Sequence, residues 1–132
     1  MKSTFSVSTS SRDQMVDITG EVRRAISKSG VGDGICVVYC PHTTAGITIN
    51  ENADPDVPRD ILAALDRAVP WKAGYRHAEG NSAAHVKSSL VGSSVTILVS
   101  DGQPVLGTWQ SVFFCEFDGP RRRTFHVKVV AG

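Results

Sequence analysis

From Lys2 to Ser10 apolar and hydroxylated residues alternate, with Phe5 and Val7 on one face, which is the period of a half-buried strand. The period then changes. Ile18, Val22, Ala25 and Ile26 recur at helical spacing behind Asp13, a candidate N-cap, and ahead of Gly30, which suits a left-handed stop; a helix is expected near residues 14–29. Gly32-Asp33-Gly34 marks a turn into the β-branched run ICVVYC, and after Pro41 a second short run begins at Gly46-Ile-Thr-Ile. Pro55, Asp56, Pro58 and Asp60 then lead into a short helix carrying Ile61, Leu62, Leu65 and Val69, stopped by Pro70. Residues 71–82 have no period and mix aromatic, basic and small side chains, the composition of a binding loop. One or two helical turns are expected over His85 to Val91. Beyond Gly92, strands are expected over VTILVS, Pro104 to Trp109, Ser111 to Asp118 and Arg123 to Val130, with Asp101-Gly102 and Asp118-Gly119 as hairpin turns. The late strands have no helices between them, which predicts an α+β domain with a mainly antiparallel sheet and two to three short helices.

The length of 132 residues suits one domain, residues 1–132, with one core. Fourteen basic against thirteen acidic residues leave a formal charge of +1, so no overall field favours nucleic acid or an anionic membrane, and any anion must be held locally. The N-terminal run MKSTFSVSTSS has no apolar signal core, no apolar run approaches the roughly 20 residues that span a bilayer, and a cytoplasmic protein is expected. Cys36, Cys40 and Cys115 lack the spacing of a disulfide framework or zinc knuckle and read as reduced core or strand thiols.

Two polar runs carry the candidate chemistry. HTTAGITINENADPDVPRD, from His42 to Asp60, surrounds an apolar strand with an imidazole, paired hydroxyls, an amide and four carboxylates; HAEGNSAAH, from His77 to His85, adds two imidazoles, a carboxylate and an amide. Histidines His42, His77 and His85 lie in loop-like contexts and could converge on a divalent ion, whereas His126 sits within an alternating strand. Glu51, Asp54, Asp56 and Asp60 offer the hard oxygens that magnesium takes when it bridges a phosphate, although Asp54 and Asp56 also suit a turn around Pro55 and Asp60 a helix terminus. Thr43 and Thr44 can hydrogen-bond an anion or serve as ordinary strand residues. Arg121, Arg122 and Arg123 follow a turn, and alternation puts Arg121 and Arg123 on a face that Arg122 does not share, so one pair could grip phosphate. Trp109, beside Gly107 and Gln110, could stack on a flat ring or fill the core.

Three long ordered stretches, PHTTAGITINENADPDVPRDI, GNSAAHVKSSLVG and LGTWQSVFFCEFDGPRRR, make the chain closely resemble the YjbQ family, also called UPF0047 or secondary thiamine-phosphate synthase, over nearly its whole length. The resemblance implies a compact α+β fold, a homotrimer with its site near subunit boundaries, and a weak thiamine-phosphate synthase activity that couples hydroxymethylpyrimidine diphosphate to thiazole phosphate and releases pyrophosphate. His42, Thr43, Thr44, Glu51, Asn52 and Asp54 match its first motif, Asn81 and His85 the second, and Trp109, Gln110, Glu116 and Arg121 the third. His77 and Glu79 align less securely. On this basis Glu51, His42 and His85 are expected to be catalytic. Thr43, Thr44, Asn52, Asn81, Trp109, Gln110, Arg121 and Arg123 are expected to bind a small phosphorylated substrate. A divalent cofactor, Mg2+ or Zn2+, would be held by His42, His77, His85 and Asp54. The alternative is a histidine-based metal-binding protein with a different hydrolytic, lyase or regulatory role. No nucleic-acid or membrane partner is expected. Cys40, two residues before His42, would favour zinc or iron if its thiolate faced the site.

Overall fold

The computed structural model describes residues 2–132 and contains two antiparallel sheets and three helices. Strands β1 (Lys2–Ser8), β8 (Arg122–Ala131), β3 (Gly34–Tyr39), β5 (Ser94–Ser100) and β6 (Gln103–Pro104) form the larger sheet in that order. The smaller sheet runs β2 (Gln14–Asp17), β7 (Gln110–Glu116), β4 (Ala45–Glu51). Helix α1 (Thr19–Ser29) leads into β3, while α2 (Asp56–Ala68) and α3 (Ser82–Val91) follow β4.

The pleat of β7 explains the layering. Val112 and Phe114 point into the main core, which gathers Val22 and Ile26 of α1 with Cys36, Val38, Ile97, Phe125 and Val127 of the larger sheet. Phe113 and Cys115 face the other way, into a second cluster with Ala84 of α3, Leu62 and Leu65 of α2, and Trp71. A strand buried on both faces reads as the continuous apolar run that it is here. The molecule is therefore large sheet, small sheet, helix pair, with α1 packed between the sheets at one side.

Five expectations change. The first helix begins at Thr19, because Gln14 to Asp17 pair with β7, Gln14 opposite Glu116 and Asp17 opposite Phe113. Met15 serves the second cluster and Val16 the main core, so burial on two faces outweighs helical spacing there. Asp13 does not cap the helix; it pairs with Arg12 and Lys87, while Asp17 accepts the Thr19 N–H at 2.9 Å. Helix α3 spans ten residues instead of one or two turns, since Ala83, Ala84, Lys87 and Ser88 form a buried face against the smaller sheet. Gly46 permits this approach, because a Cβ there would lie 2.6 Å from the Gly92 carbonyl oxygen. The strand expected over Pro104 to Trp109 shrinks to Gln103–Pro104, and the Gly107 N–H turns aside to the Gln110 amide oxygen at 2.8 Å. Asp118-Gly119 closes no hairpin: β7 and β8 belong to different sheets, and this turn carries the chain between them. Asp101 (φ 52°) and Gly102 (φ 72°) do close the β5–β6 hairpin, and Gly30 (φ 72°) ends α1 as expected.

All three cysteines are free and buried, and burial pushes the Cys36 thiol up to about 11 and that of Cys115 to about 12. Among the described residues no helix is long and apolar enough to cross a membrane.

Candidate functional site

A cleft of about 680 Å³ opens where the ends of several elements meet. The β3–β4 loop contributes Pro41, His42, Thr43 and Thr44; the α2–α3 loop contributes Trp71, His77, Glu79 and Asn81; α3 contributes His85; the β7–β8 crossover contributes Asp118 and Arg121; and β8 contributes Arg123. The three histidines singled out above thus share one cleft, and Thr43, Thr44, Asn81, Arg121 and Arg123 line it with them.

Its floor is an ion pair. Arg123 is bound in two places to Glu116, through Nε at 2.9 Å and through Nη2, and Nη2 also donates to the Thr44 hydroxyl at 2.8 Å. Thr9 Oγ1 donates to Glu116 Oε1 at 2.9 Å, the Asp118 N–H donates to Oε2 at 3.0 Å, and the Arg121 N–H donates to Thr9 Oγ1 at 3.0 Å. Burial alone would raise the Glu116 carboxyl, but these hydrogen bonds, led by Arg123, hold it below its ordinary value. Arg123 is consequently spent on Glu116, and its expected grip on substrate phosphate is corrected to a structural role. The exposed cation of the cleft is Arg121, whose side chain is 49% accessible; its Nη2 lies 3.2 Å from Asp118 Oδ2 and its Nε donates to the Asp118 carbonyl at 2.9 Å. Arg122 turns away to Ser6, as alternation requires.

Each imidazole has a distinct setting. His42 Nε2 lies 3.0 Å from the Thr124 amide nitrogen and 3.1 Å from its carbonyl oxygen, so the Thr124 backbone serves either ring tautomer, and burial followed by the charge of Arg123 lowers the His42 pKa. His77 and His85 meet edge to face with ring centroids 5.5 Å apart, and Glu79 lies 3.9 Å from His77 Nε2. The Asn81 amide nitrogen donates to Asp118 at 2.9 Å, and its oxygen is the buried side-chain polar atom left without a partner among the described residues. That oxygen is an acceptor available to a donor on a bound molecule.

One wall depends on a buried lysine that the sequence reading passed over. Lys87 is 0% exposed, and its ammonium donates to Asp13 at 2.7 Å and Asp66 at 2.9 Å. Arg12 bonds the same two carboxylates and sits 4.5 Å over the Trp71 ring, so the cleft's indole is held by the network that holds α3. Lys87 lies on the face of Ala83 and Ala84, which is the signal that its charge would be buried. A lone carboxylate within VFFCEF was the corresponding signal for Glu116.

The other expected residues lie elsewhere. Glu51 stands opposite Gln110, at the far end of the β4–β7 ladder from Ala45 opposite Glu116, roughly 20 Å away at a strand's rise per residue. Asn52 donates to Asp17 at 2.9 Å, Asp54 accepts the Asp56 N–H at the start of α2, Gln110 is engaged with Gly107, and Trp109 is 63% exposed. Glu51, Asn52, Trp109 and Gln110 are therefore corrected away from this cleft, with Trp71 standing where a stacking wall was expected from Trp109. Asp54 likewise does not line the cleft. Among the described residues no three His, Cys, Asp or Glu side chains are close enough to hold a metal ion, so one chain does not complete the expected set of His42, His77, His85 and Asp54, nor a magnesium site from Glu51, Asp54 and Asp56. Cys40 packs in the main core, and burial raises its thiol.

A family profile described as UPF0047 protein YjbQ-like matches residues 3–132. The chain belongs to this family. It is 58% identical over 126 residues to a UPF0047 protein of Methanocaldococcus jannaschii, covering 96% of this chain and 91% of that one. It is 53% identical over 131 residues to UPF0047 protein YugU of Bacillus subtilis, covering 98% and 99%. The crystal structure of an uncharacterized YjbQ/UPF0047 protein from Clostridium acetobutylicum superposes with a TM-score of 0.95 at 57% identity, covering 96% of this chain and 98% of that one. A YjbQ-like protein of unknown function from Sulfolobus solfataricus gives 0.96 at only 32% identity, covering 100% and 97%. The YjbQ-like fold thus tolerates replacement of two residues in three.

The His42 setting predicts a pH effect. Its folded pKa lies below the unfolded value of 6.5, so below that value the unfolded chain takes up the proton first and stability falls as pH drops toward the folded pKa. Urea midpoints measured between about pH 7 and pH 5 should decline for the wild type and flatten for His42→Gln; parallel curves would contradict the assignment.

Proposed function

We propose that this YjbQ-like protein binds a small phosphorylated molecule in the histidine cleft and that thiamine-phosphate formation is the reaction the cleft suits. The observation that carries the reading is the convergence of His42, His77, His85 and the exposed Arg121 in one cleft of about 680 Å³, within the size range of small-molecule sites. In that reaction the bond between the pyrimidine's methylene carbon and its diphosphate oxygen breaks, the electron pair leaves with pyrophosphate, and the thiazole nitrogen's lone pair forms the new C–N bond. No proton is lost from the nucleophile. Arg121 and the Thr43 hydroxyl bind diphosphate oxygens, and Arg121 gains strength as negative charge grows on the leaving group. His85 and His77, next to each other, supply a proton to the departing pyrophosphate. Asn81 accepts the pyrimidine's amino group and Trp71 provides the flat wall. No carboxylate of the first polar run enters these steps, and none passes through a metal.

A second reading rests on the paired imidazoles, which supply half of a tetrahedral metal set and would need the remaining donors from a neighbouring chain. A homotrimer goes with either reading. On the outer face of the larger sheet Leu98, Ile35 and Val130 stand side by side across β5, β3 and β8, with Val105 beside them; Leu98 is 63% exposed and Val105 53%. Exposed apolar patches of this kind mark association surfaces. A reducing, cytoplasmic setting fits three unpaired thiols.

Purified His85→Ala and Arg121→Ala, folded by circular dichroism, should each lose at least about tenfold in synthase kcat/KM, whereas Glu51→Ala should retain the wild-type value. Unchanged turnover in both cleft variants overturns the reading. Elemental analysis of protein prepared without added metal decides the second reading: near one transition ion per chain, lost in His85→Ala, supports it, and an empty protein removes it. Light scattering should give a trimer for the wild type and a monomer for Leu98→Glu; a monomeric wild type removes the association surface.

A further inference from the structure

A groove of about 570 Å³ lies between α1 and the inner face of β1 and β8. Its floor is apolar. Phe5, Val127 and Val129 point inward from the strands and Ala25 from the helix, yet Phe5 and Val129 remain only partly covered. The cause is topological: β1 is an edge strand paired on one side with β8, and among the described residues no further strand or helix closes the end of the core beside Phe5.

The rim has one sign of charge. Lys2, Arg24 and Lys28 line the groove and no acidic residue does. Lys2 and Lys28 have no carboxylate partner among the described residues, and Arg24 meets only Glu21, at 3.2 Å across one exposed helical turn, a contact that solvent weakens. In a chain whose formal charge is only +1, this clustering is local. An apolar trough with cations at its lip matches a molecule with an apolar body and an anionic head, because the stems of Lys and Arg extend the apolar wall while their heads stay in water to meet the charge.

We propose that this groove is a second binding site, separate from the histidine cleft, for an amphipathic carboxylate of the medium-chain acyl class. The acyl chain lies along Phe5, Val127 and Val129, and the carboxylate is held by Arg24 and Lys28 of α1. None of these residues lines the histidine cleft, so the two sites fill independently.

The test is isothermal titration of the full chain with decanoate below its aggregation concentration, with decanol as the uncharged probe. Saturable binding of one decanoate per chain is expected. The double variant Arg24→Glu/Lys28→Glu, whose changes lie on the exposed side of α1, should bind decanoate at least about tenfold more weakly and decanol as the wild type does. Prior saturation with pyrophosphate should leave decanoate binding unchanged. Absent or non-saturating binding overturns the proposal, as does equal affinity in wild type and double variant. Displacement of decanoate by pyrophosphate also overturns it by assigning the ligand to the histidine cleft, and loss of binding on self-association assigns the groove to a second copy of the chain. Circular dichroism on the double variant ensures that a loss reflects charge and not unfolding.

Discussion

The pairing of Arg123 with Glu116 is the constraint on which the cleft depends. Glu116 ends β7 in the smaller sheet and Arg123 lies in β8 of the larger one, so a single charge-assisted contact joins the two layers at the point where the chain crosses between them. Both charges are out of water. Such a pair is tolerable only when every remaining donor and acceptor is met, and removing one partner typically costs about 3–5 kcal/mol because the other is left buried and uncompensated. Thr9, Thr44 and the Asp118 N–H meet that demand, and each belongs to a different segment. The network therefore fixes the β3–β4 loop, the crossover and the end of β1 together, and with them His42 and Arg121.

Lys87 does the same for the opposite wall. A buried ammonium between Asp13 and Asp66 ties α3 to α2 and to the entrance of β2, and the Lys87 hydrogen bond keeps the Asp66 carboxyl below its ordinary value. Through Arg12 the same carboxylates hold Trp71. The exposed parts of the cleft, Arg121, His77 and Glu79, thus sit on a frame whose charges are already committed. A guanidinium left exposed on such a frame is available to an incoming anion; one inside it, like Arg123, is not.

Periodicity made most of the fold readable from the sequence. Strands β1, β3, β5 and β8 follow the apolar pattern because each buries one clear face, and β7, buried on both, reads as a continuous apolar run. Gln14 to Asp17 misled because one short strand serves two cores, and Asp118-Gly119 misled because the same turn chemistry suits a hairpin or a crossover between sheets. The site was readable only in part. His42, His77, His85, Asn81 and Arg121 were found because polar residues cluster in segments that cannot be core. Glu51, Asn52 and Trp109 were drawn in because sequence proximity to Thr43 or to Arg121 hides the length of the intervening strand. Glu116 and Lys87 were undervalued because a charge in an apolar run acquires its meaning only from a partner distant in sequence.

Binding of an anion at the histidine cleft, and not at the Glu51–Trp109 end of the smaller sheet, is the central claim, and nuclear magnetic resonance tests it without requiring turnover. Titration of labelled protein with pyrophosphate should move the side-chain resonances of His77, His85 and Arg121 along one saturable curve while the Trp109 indole N–H stays in place. Shifts confined to Trp109 and Gln110, or no saturable shift at any of the three cleft residues, would contradict it.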